Sequence, residues 1–381
     1  VRILELGKFY PPERGGMETL LQIWAEGFHQ RGHPVTCIVA NRSARSETET
    51  HGNLSIHRLA SLGSLFSTSL CPAYPAATRR YPADVIHAHF PNPLADVAVL
   101  RAPPHIPVVV HWHSDIVRQK ALMGLYQPIQ SALLRRADRI VVATPQHLEF
   151  SAWLAPFKHK VEVIPFGLDL GRYQPTPELL AQAARLRAES KAGCVFLNIG
   201  RLVGYKGQRY AVEALKHVPD AELWLVGTGP LEEELRTIAA NVGVADRVRF
   251  WGNVSDHQLP ALLHACDVFL FPSVTPNEAF GLVLVEAMAC AKPLLACHLR
   301  SGVTYVCRSG DNGVLVQPAD VPALSEGMGS LAASRTMRDE LGNRGRLRAR
   351  LEFSHDVMLD RHLNLFKTLM GSNRESRPSS A

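Results

Sequence analysis

The sequence predicts an α/β protein with two facing, Rossmann-like, doubly wound parallel-sheet domains and an interdomain cleft. Three observations carry this. Short apolar, β-branched runs alternate with longer segments of helical period, the pattern of a parallel sheet covered by helices. That alternation runs once, breaks at a connection rich in Gly and Pro, and starts again. The chain has 381 residues, too many for one ordinary hydrophobic core.

The first series reads as the buried strands "RILELG", "PVTCIVA", "DVIHAHF", "IPVVVHWH" and "RIVVATP". After the first strand, "GGMETLLQIWAEGFHQRG" has apolar residues at helical spacing and stops at Gly32, a suitable C-cap. "VEVIPFGLDLGRYQPTPELL" is the connection, and it sets the domains at 1–168 and 169–355. The second series is "CVFLNIG", "AELWLVG", "RVRFWG", "DVFLFPS" and "KPLLAC", with "QRYAVEALKHV" and "GPLEEELRTIAANVG" among the helices between them. A last helical segment, 356–370, follows and can pack against either domain, the first included. The polar tail 371–381 reads as disordered.

Composition narrows the function classes. Hydrophobic residues are 46% and charged residues 20%, a globular mix rather than a disordered one. The longest apolar stretch, Phe280 to Leu299, is interrupted by Glu286 and Lys292, which argues against a membrane span. The opening "VRILEL" lacks the order of a signal peptide. Seven cysteines without a C-x-x-C pair argue against a disulfide framework or structural zinc, so a reducing, cytoplasmic setting is expected. Residues 1–168 hold 17 basic and 12 acidic side chains and so carry almost all of the net charge of +6. That asymmetry suits an anionic partner for the first half, the alternative being a solvated basic surface.

Open parallel sheets bind ligands beyond the carboxyl ends of their strands, so the strand-end loops are the candidates. In "GKFYPPERGGMETL", Gly15 and Gly16 allow close backbone approach at a helix N-terminus; a plain strand-to-helix turn explains them equally well. In "GRLVGYKGQRYAVEAL", Arg201 and Lys206 flank a Gly-rich loop at a helix start, an arrangement suited to a diphosphate. In "VTPNEAFGLVLVEAMACA", Glu278 and Glu286 would lie ~80° apart on one continuous helix. They can address one cleft if Glu278 lies in the loop and Glu286 in the helix, with free N–H groups near Phe280 to Leu282 facing an anion. "HWHSD" alternates His111, His113 and Asp115. A metal pair is conceivable, but no further ligand stands at zinc-like spacing, and hydrogen bonding or acid–base work by one histidine fits better.

"GRLVGYKG" followed by "EAFGLVLVEAMACAKPLLA" resembles the retaining glycosyltransferases of family 4, which have the GT-B fold. "GGMETLLQIWAEGFHQRGHPVTCIV", "HAHF", "HWHSD", "RADRIVVATP" and "VIPFGLD" match that family's order over nearly the whole chain. Within it, the chain is most similar to GDP-mannose-dependent bacterial α-mannosyltransferases. The resemblance implies that Arg201 and Lys206 bind the donor diphosphate, Glu286 the ribose and Glu278 the transferred sugar. The donor set would be completed by Ala279 and the backbone N–H groups of Phe280, Gly281 and Leu282. Gly15 and Gly16 would border the donor, Asn253 and Val254 would lie against the base, and His113 near sugar and acceptor.

It further implies a hexose, mannose first, moved to a lipid-linked or polysaccharide acceptor in cell-envelope glycan synthesis. The alternatives are a UDP-sugar donor (glucose, galactose or N-acetylglucosamine) or a nucleotide-sugar binding protein without turnover. No cofactor and no metal are expected, since no D-x-D triplet occurs. Nucleic acid is not an expected partner, because no stacking aromatic motif is present. A basic, apolar run with Arg118, Lys120, Arg135, Arg136 and Arg139 implies peripheral contact with an anionic membrane at the inner face of the cytoplasmic membrane. Pro128 is expected to kink or interrupt that helix. Phe166 and Cys307 stand where the family usually has asparagine.

Overall fold

A computed structural model of the chain describes residues 1–13, 15–65, 68–116, 120–276, 278 and 280–375. It divides into two compact units. One joins Val1–Pro165 to the segment from His355 onward, and the other is Phe166–Ser354.

The first unit contains β1 (Ile3–Leu6), α1 (Gly16–Gln30), β2 (Val35–Ala40), β3 (Glu47–His51), β4 (Leu54–Leu59) and a ribbon of β5 (Ser64–Leu65) and β6 (Thr68–Ser69). It continues with α2 (Ala77–Arg80), β7 (Val85–Phe90), α3 (Pro93–Leu100), β8 (Val108–Trp112), α4 (Lys120–Arg136), β9 (Arg139–Val142), α5 (Pro145–Phe150) and β10 (Val161–Val163). The main sheet runs β10-β9-β8-β7-β1-β2-β4-β3. It is parallel apart from β3, which pairs antiparallel with β4. Strands buried on both faces read as continuous apolar runs. One face carries Leu4, Leu6, Ile86, Ala88, Phe90, Val110 and Trp112, with the Phe90 and Trp112 rings stacked at 3.8 Å. The opposite face carries Glu5, His87, His89 and His111, fully buried against Trp24 of α1. The β3–β4 hairpin was not foreseen. β3 is "ETETH", exposed at every position, so it has no apolar signal; its charges protect a sheet edge.

The second unit contains α6 (Pro177–Ala188), β11 (Cys194–Ile199), α7 (Gln208–Leu215), β12 (Ala221–Val226), α8 (Glu232–Asn241), β13 (Val248–Gly252), α9 (Leu259–Ala265) and β14 (Val268–Phe271). It ends with α10 (Leu282–Ala289), β15 (Leu294–Cys297), α11 (Val303–Val306), β16 (Gly313–Val316), α12 (Val321–Ala333) and α13 (Arg335–Glu352). All six strands are parallel, in the order β13-β12-β11-β14-β15-β16. Helix starts are set locally: the side chains of Thr176, Asp320 and Ser334 accept hydrogen bonds from the first turns of α6, α12 and α13, each cap contributing about 1 kcal/mol. All seven cysteines are buried thiols.

The structure moves the domain boundary three residues earlier than the connection suggested. Phe166 packs edge-on against Phe280 at 5.2 Å, and the Leu168 N–H donates to the Phe353 carbonyl at 2.9 Å. Those contacts bind residues 166–168 into the second unit. The last helix, α14 (His355–Glu375), belongs to the first unit. Leu359 fills the space that Gly27 leaves on α1, Phe366 meets Phe28 at 5.7 Å, Arg31 pairs with Asp356, and the Arg361 guanidinium donates to the Val163 carbonyl at 2.6 Å. Residues 371–375 of the expected tail are therefore helical, and residues 376–381 lie outside the described set. α4 runs unbroken through Pro128. Both Pro128 and Gly124, whose carbonyl the proline leaves without its helical donor, are exposed, so water can take that acceptor. Among the described residues no helix is long and apolar enough to cross a membrane.

One glycine decides how the loop after β11 sits. Gly207 has φ +69°, and a Cβ there would stand 2.0 Å from the Pro272 carbonyl oxygen at the end of β14. Gly207→Ala is expected to lose about 1–3 kcal/mol of stability in denaturant unfolding, whereas Gly204→Ala, with open space around it, should change it little.

Candidate functional site

In the second unit, β11 is flanked by β12 on one side and β14 on the other. The chain winds outward in both directions from this pair, so a topological switch point opens between the carboxyl ends of β11 and β14. Arg201 and Lys206 follow β11, and Glu278 follows β14. The structure brings two of them together: Lys206 Nζ lies 2.5 Å from Glu278 Oε1, with both side chains about six-sevenths buried. Lys206 also lies over the Phe271 ring at 5.3 Å. Arg201 is exposed, on the same loop. The two loops are tied by the Val274 N–H donating to the Tyr205 carbonyl at 2.9 Å. Beneath them, the Asn198 amide donates to the Leu270 carbonyl at 3.0 Å, and buried Gln208 donates to Asn198 and to the Arg201 carbonyl.

Glu278 lies in the loop and Glu286 inside α10. Burial raises the Glu286 carboxyl above the usual carboxylate range, while a hydrogen bond from Tyr173 and the Arg172 charge oppose that rise. Tyr173 and Arg172 were not anticipated. They sit in a short turn within the connection, where neither period nor spacing marks them; only the tertiary fold brings them to α10. Phe280 is buried against Phe166 and Phe353, so its ring anchors the loop. Gly281 takes φ +79° as N-cap of α10, and a Cβ would press on Leu284 at 2.9 Å, which accounts for glycine here. Leu282 opens the helix, whose first N–H groups have no intrahelical acceptor. Asn253, exposed, and Val254, half-buried, follow β13 at the edge of the same sheet. Ala279 lies outside the described residues.

In the first unit the switch point falls between β1 and β7. Gly15 is extended, at φ 173°, and Gly16 begins α1 with open space around it. His113 follows β8. It is buried, and its Nε2 meets His89 Nδ1 at 3.2 Å. Burial, then the neighbouring histidines, hold it well below the usual imidazole range, so its ring is neutral at pH 7 and acts through hydrogen bonds. Asp115 accepts from Trp112 and Ser151 and is structural. Of the basic residues around α4, Arg118 lies outside the described set. Arg136 is spent on Asp138 and the Pro103 and Ile106 carbonyls, and Arg135 stays exposed. Phe166 and Cys307, the two unusual residues, are both buried in the second unit's packing.

Residues 14–172 match the model described as Glycosyltransferase Family 4, and residues 185–348 match Glycosyl transferases group 1. The chain is 32% identical to O-antigen chain mannosyltransferase C of Escherichia coli, over 98% of this chain and 100% of that protein. It is 31% identical to the D-rhamnosyltransferase WbpZ of Pseudomonas aeruginosa, over 93% of this chain and 92% of that one. The solved structure of Anabaena Alr3699/HepE in complex with UDP has the same fold, with a TM-score of 0.77 at 21% identity, covering 97% of this chain and 100% of that one. The chain therefore belongs to the family 4 glycosyltransferases, and its two doubly wound units have the GT-B fold.

Proposed function

We propose that the protein transfers mannose from GDP-mannose, with retention and without a metal at the diphosphate, to a lipid-linked or polysaccharide acceptor of the cell envelope. The observation that carries the site is the Lys206–Glu278 pair at the switch point of the second sheet. Mannose is supported by the E. coli relative, and the guanosine base by the sequence resemblance to GDP-mannose-dependent enzymes.

In this reading the donor diphosphate takes Lys206 as its cation, with Arg201 beside it and the α10 N-terminus at Leu282 below. Glu278, released from Lys206, accepts a hydroxyl of the sugar. Glu286, held by Tyr173, accepts from the ribose, and Asn253 and Val254 border the base. As the bond from the anomeric carbon to the phosphate oxygen breaks, its electron pair leaves with the nucleoside diphosphate. Lys206 and Arg201 balance that growing charge, the task a metal performs elsewhere. The acceptor hydroxyl bonds the anomeric carbon on the same face and passes its proton to the departing phosphate oxygen. His113 hydrogen-bonds near sugar and acceptor. The acceptor side belongs to the basic first half, and peripheral contact with an anionic membrane follows from that charge and from the basic run around α4.

Lys206→Ala and Glu278→Ala should each lower kcat/KM by about 10²–10³ with unfolding midpoints near wild type; full activity in either would remove the site assignment. Tyr173→Phe removes the hydrogen bond that opposes the rise in the Glu286 carboxyl. Glu286 will then protonate at a higher pH than in the native enzyme. The acid limb of donor kcat/KM should shift upward in pH, and an unshifted limb would show that Glu286 does not bind the donor as a carboxylate. Donor choice is tested with membrane extract or acceptor-loaded phosphatidylglycerol vesicles. Mannose transfer from GDP-mannose, with an α-linked product and in the presence of EDTA, is expected by mass spectrometry and NMR, slower on neutral vesicles. Transfer from UDP-sugars alone would overturn the donor.

A further inference from the structure

The buried histidines of the first sheet are not used by the proposed transfer, His113 apart. "HAHF" and "HWHSD" place His87 and His89 on β7 and His111 on β8, all facing α1, and α14 adds His362. Zinc-like spacing was missing from the sequence because the third imidazole comes from the far end of the chain. The rings of His87, His111 and His362 converge, with centroids 5.3 to 5.8 Å apart. One ligand atom of each lies within 4.8 Å of the others.

For His87 and His362 the hydrogen bonds settle which nitrogen carries the lone pair. His362 Nδ1 faces the Met358 carbonyl at 2.8 Å. A carbonyl only accepts, so Nδ1 carries the proton and Nε2 carries the lone pair. His87 Nδ1 donates in the same way to Glu5 Oε1 at 3.0 Å. His87 Nε2 and His362 Nε2 are both buried with no hydrogen-bond partner. An imidazole that gives its outer N–H to a carboxylate or a carbonyl, and turns its other nitrogen inward, has the posture of a metal ligand. A second group, Glu5 with His87 and His89, is a weaker candidate. There Glu5 already accepts from His87 and from His89, the latter at 2.8 Å, and His89 is engaged with His113.

We propose that His87, His111 and His362 form a buried site for a divalent transition-metal ion, zinc in first place, which fastens the last helix to the first sheet. Three imidazoles suit zinc, copper or nickel. A tetrahedral ion holds such nitrogens roughly 3.3 Å from one another, so binding would draw the three together from their present spacing. Glu5, behind His87, supplies the counter-charge. Its two oxygens face His87 Nδ1 at 3.0 Å and His89 Nε2 at 2.8 Å. The role is structural: it joins β7 and β8 to the segment that returns after the second unit.

The untagged full chain, produced in zinc-supplemented medium and washed with chelator, is expected to hold about one zinc per chain by elemental analysis. Refolding with cobalt as the sole metal should give the visible absorption of tetrahedral cobalt. His362→Gln should lose both, and zinc should raise the unfolding temperature of wild type but not of that variant. Wild-type protein that binds neither metal, or a His362→Gln chain that keeps its full complement, would overturn the site. If the variant does not fold, the zinc content and cobalt spectrum of wild type decide the matter alone.

Discussion

The second unit depends on one topological constraint. A parallel sheet that winds outward from two adjacent strands must leave their carboxyl ends uncovered, because the helices that follow them depart to opposite faces. Here the two strands are β11 and β14, and the Lys206–Glu278 ion pair stands at that opening. Everything nearby serves to hold it. Gly207 lets the loop touch the Pro272 carbonyl, Tyr205 and Val274 tie loop to loop, and the Asn198–Gln208 amides seal the base. A lysine beside a carboxylate is also a cation kept in place until a stronger anion competes for it.

The first unit solves a different packing problem. One face of its sheet is an apolar core, but the other carries a carboxylate and four imidazoles along β1, β7 and β8 and at the end of β8. Burying so many polar rings requires them to satisfy one another or an ion. Glu5 serves two histidines, His89 serves His113, and Trp24 covers the set. α14 completes the enclosure, which explains why the last helix belongs here although the chain has by then built the whole second unit.

Much of this was readable beforehand because it depends on local pattern. Strands buried on both faces announce themselves as apolar runs, and nearly every inner strand was recognised. β3 was not, since an exposed edge strand has no apolar face to display. The placement of Glu278 in a loop and Glu286 in a helix followed from angular arithmetic and holds. Tyr173 could not have been chosen in this way. Its partner is more than a hundred positions away, and nothing in "GRYQP" distinguishes it from a turn. In the basic run around α4, Arg136 is committed to carbonyls and Asp138 within its own unit, a pairing no local pattern records, while Arg135 stays exposed.

The sequence by itself determined the two doubly wound units, the strand-end loops that matter and the family, because periodicity, glycine positions and motif order are properties of neighbouring residues. The tertiary structure alone decided which side chains meet. It paired Lys206 with Glu278, set Tyr173 under Glu286, carried residues 166–168 into the second unit, and returned His362 to His87 and His111. Each of these joins segments far apart in the chain, and such contacts are chosen by sheet order and packing, which no local pattern records.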